Sequence, residues 1–242
     1  EYFDLVRTSA ATLGNESRLG GHEAPPTVIS AFIGEDMQQL FDALLSHSAT
    51  GAHEKQRLNT GLNFVADIGK DFSDRNRTSP FAFTGNKFEF RMVGSSATLS
   101  TPNVVLNAAV SEMLSRMSDR LEKADKSRLH EEALGLACEF YERHKRIVFN
   151  GNGYSKEWFE EAEKRGLVHI DNSITAYDAL LAPKNVALFE KFKIMNKKEL
   201  ESRRAIYLDN YEKTALIEAR TMLMMAKREI LPACMEWEDK LA

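Results

Sequence analysis

Two short alternating runs, Phe81-Ala82-Phe83 and Lys87-Phe88-Glu89-Phe90-Arg91, restrict the folding of this chain more than any other feature. Alternation with period two marks a strand with one apolar face. The connection Thr84-Gly85-Asn86 is polar, contains glycine and is short enough for a hairpin. In the second run Phe88 and Phe90 share one side, and Lys87, Glu89 and Arg91 share the other. A carboxylate between two cations on a stiff strand has the chemistry to ligate a metal while the arginine grips an anion. The pattern also fits the solvated outer face of an amphipathic hairpin, and spacing alone favours that plainer reading.

The sequence around the hairpin reads as mixed structure up to Pro102. Tyr2 to Ala11 is compatible with strand or helix. Gly14 to Pro26 holds three glycines and two prolines and reads as a loop, in which Arg18, His22 and Glu23 carry the chemistry. Val28–Ile33 predicts a buried strand and Glu35–Leu45 an amphipathic helix. Ser46 to Asn59 is polar and loop-like, and Leu62–Ile68 is again extended and apolar. Strands outnumber helices here, which predicts a largely antiparallel sheet over residues 1–102.

Beyond Pro102 the period becomes helical. Helices are expected over Asn103–Lys123 and Ser127–Phe149, then from a Ser155 cap to a Gly166 stop. Thr175 and Asn196 read as further caps, Asn196 with Glu199 as a capping box. The last helical pattern, Lys197–Leu231, should kink or end at Pro232. Such a helix pairs with a neighbour or buries its stripe on another subunit. Its Met222-Leu223-Met224-Met225 cluster reads as core packing. Asn150-Gly151-Asn152-Gly153 reads as a turn rather than a phosphate cradle, since no strand precedes it and no GK[ST] follows.

With 242 residues, 43% of them hydrophobic, the chain can bury a sizeable core. A net charge of −4 and a pI near 5.9 give no general attraction for nucleic acid or an anionic membrane. No apolar run reaches eighteen residues, and the first residues lack the pattern of a signal peptide. Cys138 and Cys234 sit in helical apolar surroundings without metal-ligand spacing, which suggests reduced packing residues of a cytoplasmic protein. The start at Glu1 suggests a fragment.

The order of motifs is the strongest signal. Arg-Leu-Gly-Gly-His-Glu-Ala-Pro-Pro at 18–26 comes first, then Asn76-Arg77, then Phe88-Glu89-Phe90-Arg91, then Pro102-Asn103. The series resembles the second half of the glutamine synthetase catalytic domain. The FAFTGNKFEFRM block and the NGNGYSKEW stretch at 150–158 are similar to the type III, large-subunit branch. The resemblance implies an α+β fold: part of a mainly antiparallel curved sheet over 1–102, then an all-helical region over 103–242.

It also implies an ATP-dependent glutamate–ammonia ligase working through γ-glutamyl phosphate, with Mg2+ or Mn2+ as cofactor. Its partners would be glutamate, ammonia and ATP, in a ring-shaped homo-oligomer. By resemblance Glu89 is a metal ligand. Arg18 and Arg91 contact glutamate carboxylates and the transferred phosphate. Arg77 lies near the ATP phosphates, and Glu23 is the flap carboxylate that takes a proton from ammonium. The chain departs from the family at His22, which replaces an aromatic residue, and at Ala82, which replaces a second arginine. Nothing in it matches the family's other metal ligands, so the isolated chain is expected to be inactive. The competing expectation is a non-catalytic helical assembly module. A guanidino-kinase-like phosphotransferase is an analogy of fold only.

Overall fold

The computed structural model describes residues 1–21, 24–46, 57–58, 68–69, 79–167 and 169–241, with 57–58 and 68–69 described by backbone alone. The chain opens with two short helices, α1 (Phe3–Ser9) and α2 (Leu13–Glu16). The first, which the sequence left open between strand and helix, is a helix that buries Leu5, Arg7, Thr8 and Ser9. Then come β1 (Ala31–Phe32), α3 (Glu35–Leu45), β2 (Arg57–Leu58), β3 (Ile68–Gly69), β4 (Phe81–Phe83) and β5 (Phe88–Phe90).

The sheet departs from expectation. β1 pairs parallel with β4, and β4 pairs antiparallel with β5, so this small sheet is mixed rather than largely antiparallel. β2 and β3 form a separate antiparallel pair. The strand expected over Val28–Ile33 contracts to two residues because Val28 enters a core with Trp158, Ala162 and Leu167 instead of joining a ladder. Of the extended run Leu62–Ile68, all but Ile68 lies outside the described residues.

Seven helices follow: α4 (Ser100–Leu121), α5 (Leu129–His144), α6 (Lys156–Lys164), α7 (Ser173–Asp178), α8 (Pro183–Lys191), α9 (Lys197–Met225) and α10 (Leu231–Leu241). Local chemistry places their ends. Ser155 Oγ accepts from Trp158 N at 3.1 Å to start α6, and Gly166 at φ +68° turns the chain out of it. Asn172, three residues ahead of the expected Thr175, caps α7 by accepting from Thr175 N at 2.8 Å. At α9 the capping box is complete: Asn196 Oδ1 accepts from Glu199 N at 3.0 Å, and Glu199 Oε2 accepts from Asn196 N at 2.7 Å.

Several cores tie the helices to the N-terminal part. Leu5 meets Val105, Ala108, Leu180, Leu188, Phe189 and Leu200 in the largest one. In another, Trp158 stacks on Phe149 with centroids 3.8 Å apart, beside Val28. Gly151 is required there, since a Cβ would come within 2.7 Å of the Phe149 ring.

The C-terminal arm departs from further expectations. Pro232, expected to kink or end the helix, does not end it. A π-helical turn at Ala226–Ile230 leads directly into α10, and such a widened turn relieves the clash and the missing donor that proline brings to a regular helix. The Met222–Met225 cluster is not core: Met222 is 70% exposed and its three neighbours are also exposed. Cys234 is exposed and Cys138 half-buried, both as free thiols, so Cys234 is not a packing residue among the described contacts.

Asn196→Ala should lower stability by about 1 kcal/mol, read as a lower urea midpoint at constant slope. Asn196→Asp should keep most of it, and equal loss in both variants would contradict the capping account.

Candidate functional site

The hairpin forms with register Phe81↔Phe90, Ala82↔Glu89 and Phe83↔Phe88. Phe81, Phe83, Phe88 and Phe90 cluster on one face, with Phe81 and Phe88 stacked at 5.3 Å. On the other face Glu89 pairs with Lys87 at 3.4 Å and with Arg91 at 3.2 Å. The Glu89 side chain is 39% exposed and that of Arg91 14%, so the carboxylate lies open to solvent beside a mostly covered guanidinium. The Arg91 hydrogen bond is the main cause that holds the Glu89 carboxyl below the usual glutamate range. Lys87 adds to it and desolvation opposes it.

Arg18 sits at the base of the glycine-rich loop. Its Nη1 donates to Asn15 Oδ1 at 2.8 Å. Asn15 is buried, and its Nδ2 donates to Ala10 O at 2.8 Å and to Met92 O at 2.7 Å. Met92 directly follows Arg91, so one amide joins the Arg18 loop to the charged strand. Gly94 lets that amide approach, because a Cβ there would lie 3.3 Å from Asn15 side-chain atoms. The loop is also pinned at its ends: Leu19 bridges Ala24, and Gly20 N donates to Pro25 O at 3.0 Å with Gly20 at φ +79°. Tyr154 from the NGNGYSKEW stretch donates to Ala24 O at 2.9 Å.

Of the five expected site residues, Arg18, Glu89 and Arg91 are thus linked through two adjacent segments. Glu23 and Arg77, with His22, lie outside the described residues. Asn15 and Gly94 are contributors that the motif reading passes over. The Asn15–Arg18 spacing was visible, but the partner 77 residues away was not. The Asn150–Gly153 loop makes structural contacts through its first residue. Asn150 Oδ1 accepts from Ile33 N and Gly34 N, and its Nδ2 donates to Gln38 Oε1.

Among the described residues no group of three or more His, Cys, Asp or Glu converges as a metal site. Both Glu89 oxygens are engaged by cations. Magnesium and manganese require several oxygens, so this donor set does not hold such an ion by itself. The arrangement offers one carboxylate to a shared cation and two cationic groups to an anion. Among the described residues no helix is long and apolar enough to cross a membrane.

Residues 134–242 match the family described as "Glutamine synthetase C-terminal domain". The chain is 38% identical over 240 residues to "Type-3 glutamine synthetase" of Dictyostelium discoideum, covering 99% of this chain and 33% of that protein. It is 35% identical over 242 residues to "Glutamine synthetase" of Butyrivibrio fibrisolvens, covering 100% and 34%. A "Glutamine synthetase" of Bacteroides fragilis is 35% identical over 248 residues, covering 98% and 33%. The chain therefore spans about a third of the length of the curated relatives it matches.

Asn15→Leu leaves two buried carbonyls and Arg18 without their partner and should cost about 2–4 kcal/mol, measured by urea unfolding. An effect below about 0.5 kcal/mol would show that the amide does not tie these segments together. The folded-state pKa of Glu89 lies below its unfolded value. Its stabilising contribution is therefore fully present above the usual glutamate range and is lost as pH falls through the folded value. Arg91→Ala should move the Glu89 titration upward by carboxyl NMR, and an unmoved midpoint would contradict the pairing.

Proposed function

We propose that the chain, whose residues 134–242 match the glutamine synthetase C-terminal domain and which aligns along its length with glutamine synthetases, is the C-terminal part of an ATP-dependent glutamate–ammonia ligase. The observation that carries the reading is the junction of Arg18 and the Glu89–Arg91 strand through one buried amide. It holds an anion-binding group and a carboxylate–guanidinium pair on neighbouring rigid segments. Residues 1–102 are, in this reading, the end of the catalytic domain, and residues 103–242 its helical extension.

The chemistry assigns each side chain a task. ATP phosphorylates the γ-carboxylate of glutamate, and ammonia then displaces phosphate from the acyl phosphate. Arg18 and Arg91 bind glutamate carboxylate and phosphoryl oxygens, where a planar guanidinium matches two oxygens at once. Arg77 serves the ATP phosphates. Glu23 takes the proton that ammonium must lose before its nitrogen can attack. Glu89 would supply one oxygen to Mg2+ or Mn2+, and the other ligands would have to come from outside the described residues. When bound, the cation neutralises polyphosphate charge.

The exposed apolar arm of α9 and α10 supports assembly with other copies of the protein in a homo-oligomer, with rings as the expected form. The same arm is what a non-catalytic helical assembly module would show, so the two readings separate at Glu89. In the intact protein Glu89→Ala should lower metal-dependent γ-glutamyl transfer by about a hundredfold or more while leaving the native mass unchanged. Wild-type turnover in that variant would leave only the assembly role. The 242-residue chain alone should give no turnover, and robust activity would refute its being one part of the catalytic unit. Deleting residues 197–242 should reduce the native mass, and an unchanged mass would contradict assembly through the arm.

A further inference from the structure

A second cavity lies away from the hairpin, where α1 and the start of α4 meet α7 and α9. It encloses about 240 Å3. Water occupies about 30 Å3 per molecule in the liquid, so the space suits a ligand of roughly seven to ten heavy atoms. Its described lining residues carry no formal charge; hydroxyl groups and three tyrosine rings, Tyr177, Tyr207 and Tyr211, dominate. Tyr177 and Tyr207 touch with centroids 5.3 Å apart, and Tyr211 lies one helical turn beyond Tyr207.

The hydrogen bonds of these phenols set the polarity of the wall. Tyr177 donates its proton to Ala11 O at 3.0 Å, and Tyr211 donates to Glu16 Oε1 at 3.4 Å. Tyr207 shares a proton with Thr101 Oγ1 at 3.3 Å. With their protons committed, the Tyr177 and Tyr211 oxygens retain only lone pairs for a guest. Burial pushes the Tyr177 hydroxyl up to about 12 and raises that of Tyr211, so both remain neutral phenols at physiological pH.

The charges behind the wall point the same way. Glu16 stands behind Tyr211, with its other oxygen accepting from Ser173 N at 2.8 Å. Arg7 is 1% exposed, does not line the cavity and donates through Nε to Ile170 O at 2.9 Å. Its charge interacts with Glu16 and Asp171 without a direct ion pair to either, and its Nη1 and Nη2 have no hydrogen-bond partner.

We propose that this cavity binds a small organic cation of the alkylammonium class. Ring faces attract such a cation through their quadrupoles, the phenol lone pairs accept N–H or polarised C–H, and Glu16 supplies the compensating charge. The site is separate from the hairpin and does not depend on the ligase reading. It joins α1 to α7 and α9, so a bound cation would clamp the N-terminal helix to the C-terminal helical region.

Isothermal titration of the intact protein tests this with three probes of one shape and different charge: choline, neutral 3,3-dimethyl-1-butanol and anionic 3,3-dimethylbutanoate. Choline should bind at least about tenfold more tightly than either of the others. Tyr207→Leu should weaken choline by about tenfold, while Tyr207→Phe, which keeps the ring, should stay within about threefold. Equal binding of choline and its neutral isostere would overturn the proposal. So would a preference for the carboxylate, or no saturable choline binding by folded wild-type protein. The wild-type comparison decides even if Tyr207→Leu fails to fold, and equal loss in the Leu and Phe variants would assign the effect to the hydroxyl and not to the ring.

Discussion

The buried amide of Asn15 is the contact on which the geometry around the charged hairpin depends. A short helix, a glycine-rich loop and the end of a β-strand meet there, sharing a small apolar cluster of Ala10, Leu19, Ala24 and Met92. Three hydrogen bonds add direction to that packing: two donated to the carbonyls of Ala10 and Met92, and one accepted from Arg18. An amide in that position cannot slide, because any shift leaves buried carbonyls without donors. Gly94 complements it, since a Cβ there would stand 3.3 Å from the amide and press on it. The loop that carries Arg18 therefore has a rigid base.

What was legible in the sequence follows the range of the interactions involved. Helix starts at Ser155 and Asn196 are decided by a side chain three residues from its acceptor or donor, and both stand where their letters place them. The hairpin likewise follows from Gly85 and the alternation around it. The β1–β4 pairing does not, since Ala31 and Phe81 lie fifty positions apart and no local signal makes them parallel. Val28 shows the same limit. Its apolar neighbours suggest a long strand, but burial against Trp158 is worth more than extending a two-residue ladder. Thr175 was misread as a cap because Asn172, three residues earlier, also has the chemistry and accepts the Thr175 amide itself. At the site, the motif order brought Arg18, Glu89 and Arg91 to attention, whereas Asn15 carried no signal that single-chain spacing could reveal.

The C-terminal arm shows how a sound local inference fails when its tertiary premise is absent. Met222-Leu223-Met224-Met225 has the composition of a core, and in a shorter helix it would have one. Here α9 outruns its partners: its first half packs on α7, α8 and the start of the chain, and its second half is exposed on every side. Only Leu200 of α9 is fully buried. Pro232 was read as a kink or an end on the premise of regular helical geometry. The π-helical turn just before it removes that premise, and the arm continues through α10. A long arm of exposed leucine, isoleucine and methionine is costly to leave in water, which is why it supports assembly in either functional reading.

The electrostatics of the hairpin restrict how a metal can enter it. Lys87, Glu89 and Arg91 sum to one positive charge, and both oxygens of Glu89 already face cations at 3.2 to 3.4 Å. A bare divalent ion approaching this trio meets net repulsion and has to displace two ion pairs to gain one ligand. A divalent ion already bound to a polyphosphate would change the balance, because phosphate oxygens would offer Arg91 and Lys87 new partners and free the carboxylate. On the ligase reading, Glu89 would therefore serve as a ligand only to an ion whose charge an anion already offsets.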